Sequence, residues 1–154
     1  MEPESRGVDE NIDLNIWRQF SSVYKILYKN LEKFLSSYDL GIIEFRILRT
    51  ISNSGTCPMV KLAELNFITQ PWITGIIDKL EKKNLVERSR SATDRRIINI
   101  RLKPDGTRLY NKIKERYEEN ISSLFSSIDR ETKEQFLKIL TEIEEDIKSK
   151  SEPN

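Results

Sequence analysis

The 154-residue chain contains no histidine and a single cysteine, Cys57. A lone cysteine forbids any disulfide within the chain and suits a reducing compartment. Without histidine there is no imidazole for acid–base chemistry at neutral pH, for a nucleophile–base triad or for a tetrahedral zinc site. No glycine-rich loop is present to cradle a phosphate. Carboxylate pairs such as Glu118/Glu119 and Glu144/Glu145 lie on charged helical faces. Neighbours in a helix point about 100° apart and do not converge on a substrate. No metal, no cofactor and no enzymatic activity are therefore expected. No apolar run approaches the roughly 20 residues that span a bilayer, and Met1 to Glu10 is polar rather than a signal-peptide core. The expectation is a cytoplasmic protein with no membrane partner.

Net charge is also nearly missing, at +1 overall. Its distribution is uneven. Residues 79–103 carry nine basic side chains against three acidic ones, and the segments on either side are net acidic. One basic stretch in a near-neutral chain has the footprint of a phosphate-contacting face.

Residues 1–11, charged and containing Pro3 and Gly7, read as a disordered N-terminus. Ile16, Phe20, Val23, Tyr24, Leu27, Leu31, Phe34 and Leu35 then recur at helical spacing and predict an amphipathic helix over about 12–37. Gly41 and Glu44 resemble a capping box without its hydroxyl. They open a helix with Phe45, Ile47, Leu48 and Ile51 inward, which stops at Asn53-Ser54-Gly55. Thr56-Cys57-Pro58 reads as a short extended piece, with Cys57 a small buried apolar residue. A short helix follows over 59–66, then a turn at Asn66-Phe67-Ile68, then a helix over about 70–83. Thr69 is its expected N-cap, and Pro71 is tolerated in the first turn. Ile73, Ile76, Ile77 and Leu80 form one buried stripe, and Asn84 occupies a left-handed C-terminal position. The period then changes. Residues 85–90 and 97–102 read as strands around a polar tip at 91–96. Helix, turn, helix, strand, tip, strand is the order of a winged helix. Pro104-Asp105-Gly106 starts another long helix with Leu109, Ile113, Tyr117, Ile121, Leu124 and Phe125 as its stripe. A break near 126–129 precedes a last helix carrying Phe136, Leu137, Ile139, Leu140, Ile143 and Ile147, with Asp129 as its cap.

Together these segments resemble the MarR family of transcription regulators, from about residue 14 to 148. The resemblance is carried by Leu62-Ala63-Glu64-Leu65, by the run from Ile68 through Thr69, Gln70, Asp78, Leu80 and Glu81 to Leu85-Val86, and by Asp94-Arg95-Arg96 followed by Ile98, Ile100 and Leu102. Three positions depart from the family pattern. Asn84 replaces a glycine but can adopt the same left-handed conformation. Lys103 replaces a threonine, with loss of a cap worth roughly 1 kcal/mol. Gly75 stands mid-helix where a larger residue is usual, at about 1 kcal/mol relative to alanine.

The resemblance implies a mainly α fold with a small β-wing: a winged helix-turn-helix domain over 38–103, flanked by dimerisation helices at 12–37 and 104–150. It implies a sequence-specific, homodimeric transcription regulator of the repressor type whose partner is double-stranded DNA. Helix 69–83 would enter the major groove and wing 90–96 the minor groove. The candidate DNA contacts are Thr69, Gln70, Trp72, Thr74, Gly75, Lys79, Arg88, Arg90, Asp94, Arg95 and Arg96. Gln70 suits adenine, Thr74 a thymine methyl, and Lys79 and Lys82 phosphate or guanine. Arg88 and Arg90 suit phosphates. Asp94 resembles the family's wing aspartate, which pairs with an arginine. Trp72 suits either this face or packing against the wing or another helix. Relatives often bind small aromatic or phenolic effectors, for which Tyr24, Tyr28, Tyr38, Arg46 and Arg49 are candidates; core packing and surface charge explain the same residues. Two other readings stay open, a non-specific architectural DNA binder and a winged-helix module that binds protein.

Overall fold

The computed structural model describes residues 11–151. The expected disordered segment 1–11 lies outside them except for Asn11, which is ordered as a helix cap. The elements run α1 (Ile12–Ser36), α2 (Ile42–Ser54), β1 (Thr56–Pro58), α3 (Met59–Asn66), α4 (Gln70–Lys82), β2 (Val86–Arg90), β3 (Ile98–Leu102), α5 (Pro104–Leu124) and α6 (Arg130–Ser151). The chain divides into two compact units, up to Tyr110 and from Asn111 onward.

In the first unit, Asn11 Oδ1 accepts from the N–H groups of Asp13 and Leu14 at 3.1 and 3.3 Å and so starts α1. Of the apolar stripe on α1 only Leu35 is buried; Ile16, Trp17, Phe20, Tyr24 and Tyr28 are exposed. α2 starts at Gly41, whose N–H donates to Glu44 Oε2 at 2.9 Å, the carboxylate half of a capping box. It ends at Gly55, where φ of +73° favours glycine. The core gathers Leu48 and Ile51 of α2, Leu62 of α3, Ile73, Ile77 and Leu80 of α4, Val86 of β2 and Ile100 of β3, all fully buried.

Residues 56–58 do more than link two helices. They pair with β3, Cys57 opposite Ile100, and complete an antiparallel sheet of order β1-β3-β2. Cys57 is buried there, and burial pushes its thiol pKa up. The extended form expected of these residues is present, but their pairing is not legible locally, because the partner lies more than forty residues away. The turn between α3 and α4 is made by Phe67 at φ +55°. Thr69 is the N-cap of α4 by position, but its hydroxyl makes no capping bond. Its carbonyl instead accepts from Ile73 N–H at 3.0 Å. Asn84 takes the left-handed conformation at φ +61°, and Leu85 N–H returns to Leu80 O at 3.0 Å.

The first turn of α5 crosses the start of β2 at backbone distance. Lys103 N–H donates to Leu85 O at 3.0 Å, and a Cβ on Gly106 would lie 2.0 Å from that same oxygen. Asn84 ties the junction, its Nδ2 donating to Asp105 Oδ2 at 2.6 Å and its Oδ1 accepting from Lys103 Nζ.

In the second unit, Asp129 caps α6. Its Oδ1 accepts Thr132 N–H at 3.0 Å and its Oδ2 the Thr132 hydroxyl at 2.7 Å. α6 exposes Phe136, Leu137, Ile139, Ile143 and Ile147. No helix among the described residues is long and apolar enough to cross a membrane.

Candidate nucleic-acid interface

The buried stripe Ile73, Ile76, Ile77 and Leu80 fixes how α4 is rotated. At about 100° per residue the outer face then carries Pro71, Thr74, Gly75, Asp78 and Lys82, with Gln70 at the N-terminal edge. Gln70, Thr74, Gly75 and Lys82 are exposed. The Thr74 hydroxyl donates to Gln70 O at 2.9 Å, which leaves its methyl and its lone pairs for a partner. No atom would come within 4 Å of a Cβ on Gly75, so packing does not require a glycine there.

One flank of α4 is bound to the wing. Arg88 of β2 reaches back with Nη2 to Asp78 Oδ1 at 2.6 Å, while its Nη1 pairs with Glu81 Oε2. Its own N–H donates to Glu81 Oε1 at 3.1 Å. The guanidinium is consumed by two carboxylates of α4 and acts as a strut between wing and helix. Lys79 is also engaged, its Nζ 2.7 Å from Glu44 Oε1, and that carboxylate raises the lysine pKa. Lys83 lies 3.0 Å from Asp39 Oδ2, holding that carboxyl below its usual range, and 3.7 Å from Glu44 Oε2. Arg101 pairs with Glu87 across β2 and β3 at 2.7 Å.

At the wing tip Asp94 receives Arg96 three times. Oδ1 accepts the backbone N–H at 2.9 Å and Nε at 3.1 Å, and Oδ2 accepts Nη2 at 3.1 Å. These bonds pull the Asp94 pKa down. The pairing of Asp94 with an arginine is thus present, and Arg96 is the arginine. The remaining cations of the basic stretch differ from these. Among the described residues Lys82, Arg90 and Arg95 are exposed and have no ion-pair partner. The local charge excess visible in the sequence is therefore concentrated in these three side chains and in half-buried Lys103, whose ammonium goes to the neutral amide oxygen of Asn84. The carboxylates that neutralise the others include Asp39, Glu44 and Asp78, which lie outside residues 79–103.

The other flank of α4 borders a cavity of about 400 Å³. Trp72 and Lys79 line it, opposite Tyr28 and Glu32 of α1 and Glu44 of α2. Trp72 is thus directed toward other helices and not toward the wing. Of the five expected effector residues only Tyr28 lines the cavity. Tyr24 lies against Tyr28 with ring centroids 5.9 Å apart and planes tilted by 40°, and Tyr38 meets Phe34 edge-on at 5.4 Å. Arg46 turns its Nη2 to Asn66 O at 3.5 Å, and Arg49 is exposed. The sequence offered one signal for Glu44, its capping spacing after Gly41, and none for Glu32.

A helix-turn-helix whose second helix is strapped to a two-stranded cationic wing is a winged-helix DNA-binding module. Comparison with known proteins agrees. The family model described as the MarR family matches residues 42–98. The HTH-type transcriptional regulator YhbI of Bacillus subtilis is 31% identical over 108 residues, 70% of each chain. FarR of Neisseria gonorrhoeae, also an HTH-type transcriptional regulator, is 33% identical over 88 residues, 57% of this chain and 60% of its own length. The crystal structure of AbsC, a MarR family regulator from Streptomyces coelicolor, superposes with a TM-score of 0.80 over 94% of this chain and 99% of that one, at 24% identity, and shares the fold. The chain belongs to the MarR family of DNA-binding transcription regulators.

Proposed function

We propose that this regulator is a sequence-specific homodimeric repressor that lays the N-terminal half of α4 in the major groove and the wing tip in the minor groove. The observation that carries the reading is the set of unpaired, exposed cations Lys82, Arg90 and Arg95 beside the outer face of α4. Gln70 and Thr74 read base edges, Thr69 and Gly75 border the groove, and Lys82 and Arg90 contact phosphates. Arg95 enters the minor groove, while Asp94 and Arg96 hold the tip in shape. Arg88 and Lys79 position α4 and do not touch DNA.

Dimerisation is supported by apolar surface that the single chain leaves uncovered, Trp17, Phe20 and Ile26 on α1 and Phe136, Leu137 and Ile143 on α6. A second copy covers it and places two recognition helices on one two-fold site. Light scattering at micromolar concentration should give twice the chain mass; a monomeric mass ends this part of the reading. A small ligand in the cavity beside Trp72 releases the operator by favouring a dimer that cannot place both helices.

The test is anisotropy of labelled duplex from the upstream region of the protein's own gene, at two salt concentrations and with non-specific competitor. Binding that resists competitor and weakens in Arg95→Ala supports the repressor reading. Equal affinity for every duplex supports an architectural role, and absence of binding at low salt removes the DNA role of the wing.

A further inference from the structure

The cavity beside α4 has a charge character that aromatic residues and arginines in the sequence did not suggest. It is an open cleft of about 400 Å³. Two aromatic side chains, Tyr28 and Trp72, form part of its wall, and their ring faces carry negative potential. The acidic groups are Glu32 and Glu44, and the one lining cation is Lys79. That ammonium is already spent on Glu44 at 2.7 Å. Lys83, the next cation, is shared between Glu44 and Asp39. Asp39 and Lys83 do not line the cavity but share this network; with them three carboxylates are set against two ammoniums, and the surplus sits on Glu32, which has no ion-pair partner among the described residues. Neither Arg46 nor Arg49 reaches the cavity. A carboxylate or phenolate entering it would meet two like charges, no guanidinium, and one ammonium that is already paired with Glu44.

We infer that this cavity binds an organic cation with an aromatic body, its charge beside Glu32 and Glu44 and its body against Tyr28 and Trp72. Cation–aromatic attraction and the uncompensated carboxylate act in the same direction. The bound cation competes with Lys79 for Glu44. Glu44 is buried, caps α2 and holds Lys79 of α4, so its change of partner alters how the recognition helix is fastened to α2. The regulatory consequence rests on the proposed operator binding; the binding chemistry does not.

The experiment uses the full chain with Trp17→Phe, which leaves Trp72 as the sole tryptophan. Its emission is titrated with tetraphenylphosphonium and, separately, with tetraphenylborate, two ions of the same shape and opposite charge. Saturable change with the cation, at least about ten-fold tighter than with the anion, is expected for one uncompensated carboxylate near the surface. Glu32→Gln should bring that preference down about ten-fold. Equal or tighter binding of the anion, no saturable change at all, or a preference untouched by Glu32→Gln would each overturn the inference. Duplex anisotropy of the parent chain, which keeps Trp17, separates the two claims. Loss of duplex binding without ligand would end the repressor reading while the tryptophan titration still reports on the cavity. Cation binding that leaves duplex affinity unchanged would overturn the Lys79 exchange.

Discussion

Replacing Gly106 by alanine should destabilise the protein although it improves the helix. The new Cβ would sit 2.0 Å from Leu85 O, 2.9 Å from Leu85 C and 3.2 Å from Leu85 Cα. All three are backbone atoms, so no side chain can swing aside. Leu85 O is also the acceptor of Lys103 N–H, and moving it breaks the hydrogen bond at the entry to α5. Forced overpacking costs about 3 kcal/mol at the upper end of its usual range. Alanine in a helix recovers about 1 kcal/mol relative to glycine. The net loss is about 2 kcal/mol, or a Tm lowered by about 4–8 °C in a chain of this size. Gly75 is the internal control, since nothing lies within 4 Å of a Cβ there. Gly75→Ala should therefore gain up to about 1 kcal/mol. Urea unfolding of the three proteins at one fixed concentration reads both effects as shifts of midpoint at constant slope. A Gly106→Ala protein as stable as the parent would refute the close crossing of α5 over Leu85.

Arg88→Lys should weaken duplex binding nearly as much as Arg88→Ala, because one ammonium cannot span Asp78 and Glu81 as the guanidinium fork does; full rescue by lysine in an anisotropy titration would contradict the strut. Arg95→Ala should reduce the slope of log affinity against log salt by about one per wing, whereas Asp94→Asn should mimic Arg96→Ala by loosening the tip. Identical slopes for parent and Arg95→Ala would remove Arg95 from the DNA interface. The lowered pKa of Asp94 makes the tip sensitive to acid alone. Its stabilising bonds are fully present above the ordinary aspartate value of 3.8 and are lost as pH falls through the lower folded value. The Arg96 amide resonance should report that midpoint below 3.8; a midpoint at or above it would show that the pair is not formed in solution.

Much of this molecule is local, and local features are legible from residues. The stripe Ile73, Ile76, Ile77, Leu80 determined both the existence of α4 and its buried side, because a 3.6-residue period has one apolar face. Asn84 and Asp129 announced helix ends through conformational and capping preferences that act within a few residues. The change from helical to alternating period marked the wing. The absence of histidine and of paired cysteines excluded whole classes of chemistry before any fold was considered. Which cations remain available was decided only by tertiary structure. Lys79, Arg88, Arg95 and Arg96 look alike in the sequence, yet three are held by Glu44, by Asp78 and Glu81, and by Asp94. Long side chains find their partners through space, and Glu44 is thirty-five positions from Lys79. The same reason hid the pairing of β1, whose three residues read as extended but join a sheet only through β3, and the cavity, where α4 meets the earlier helices α1 and α2 across the intervening β1 and α3.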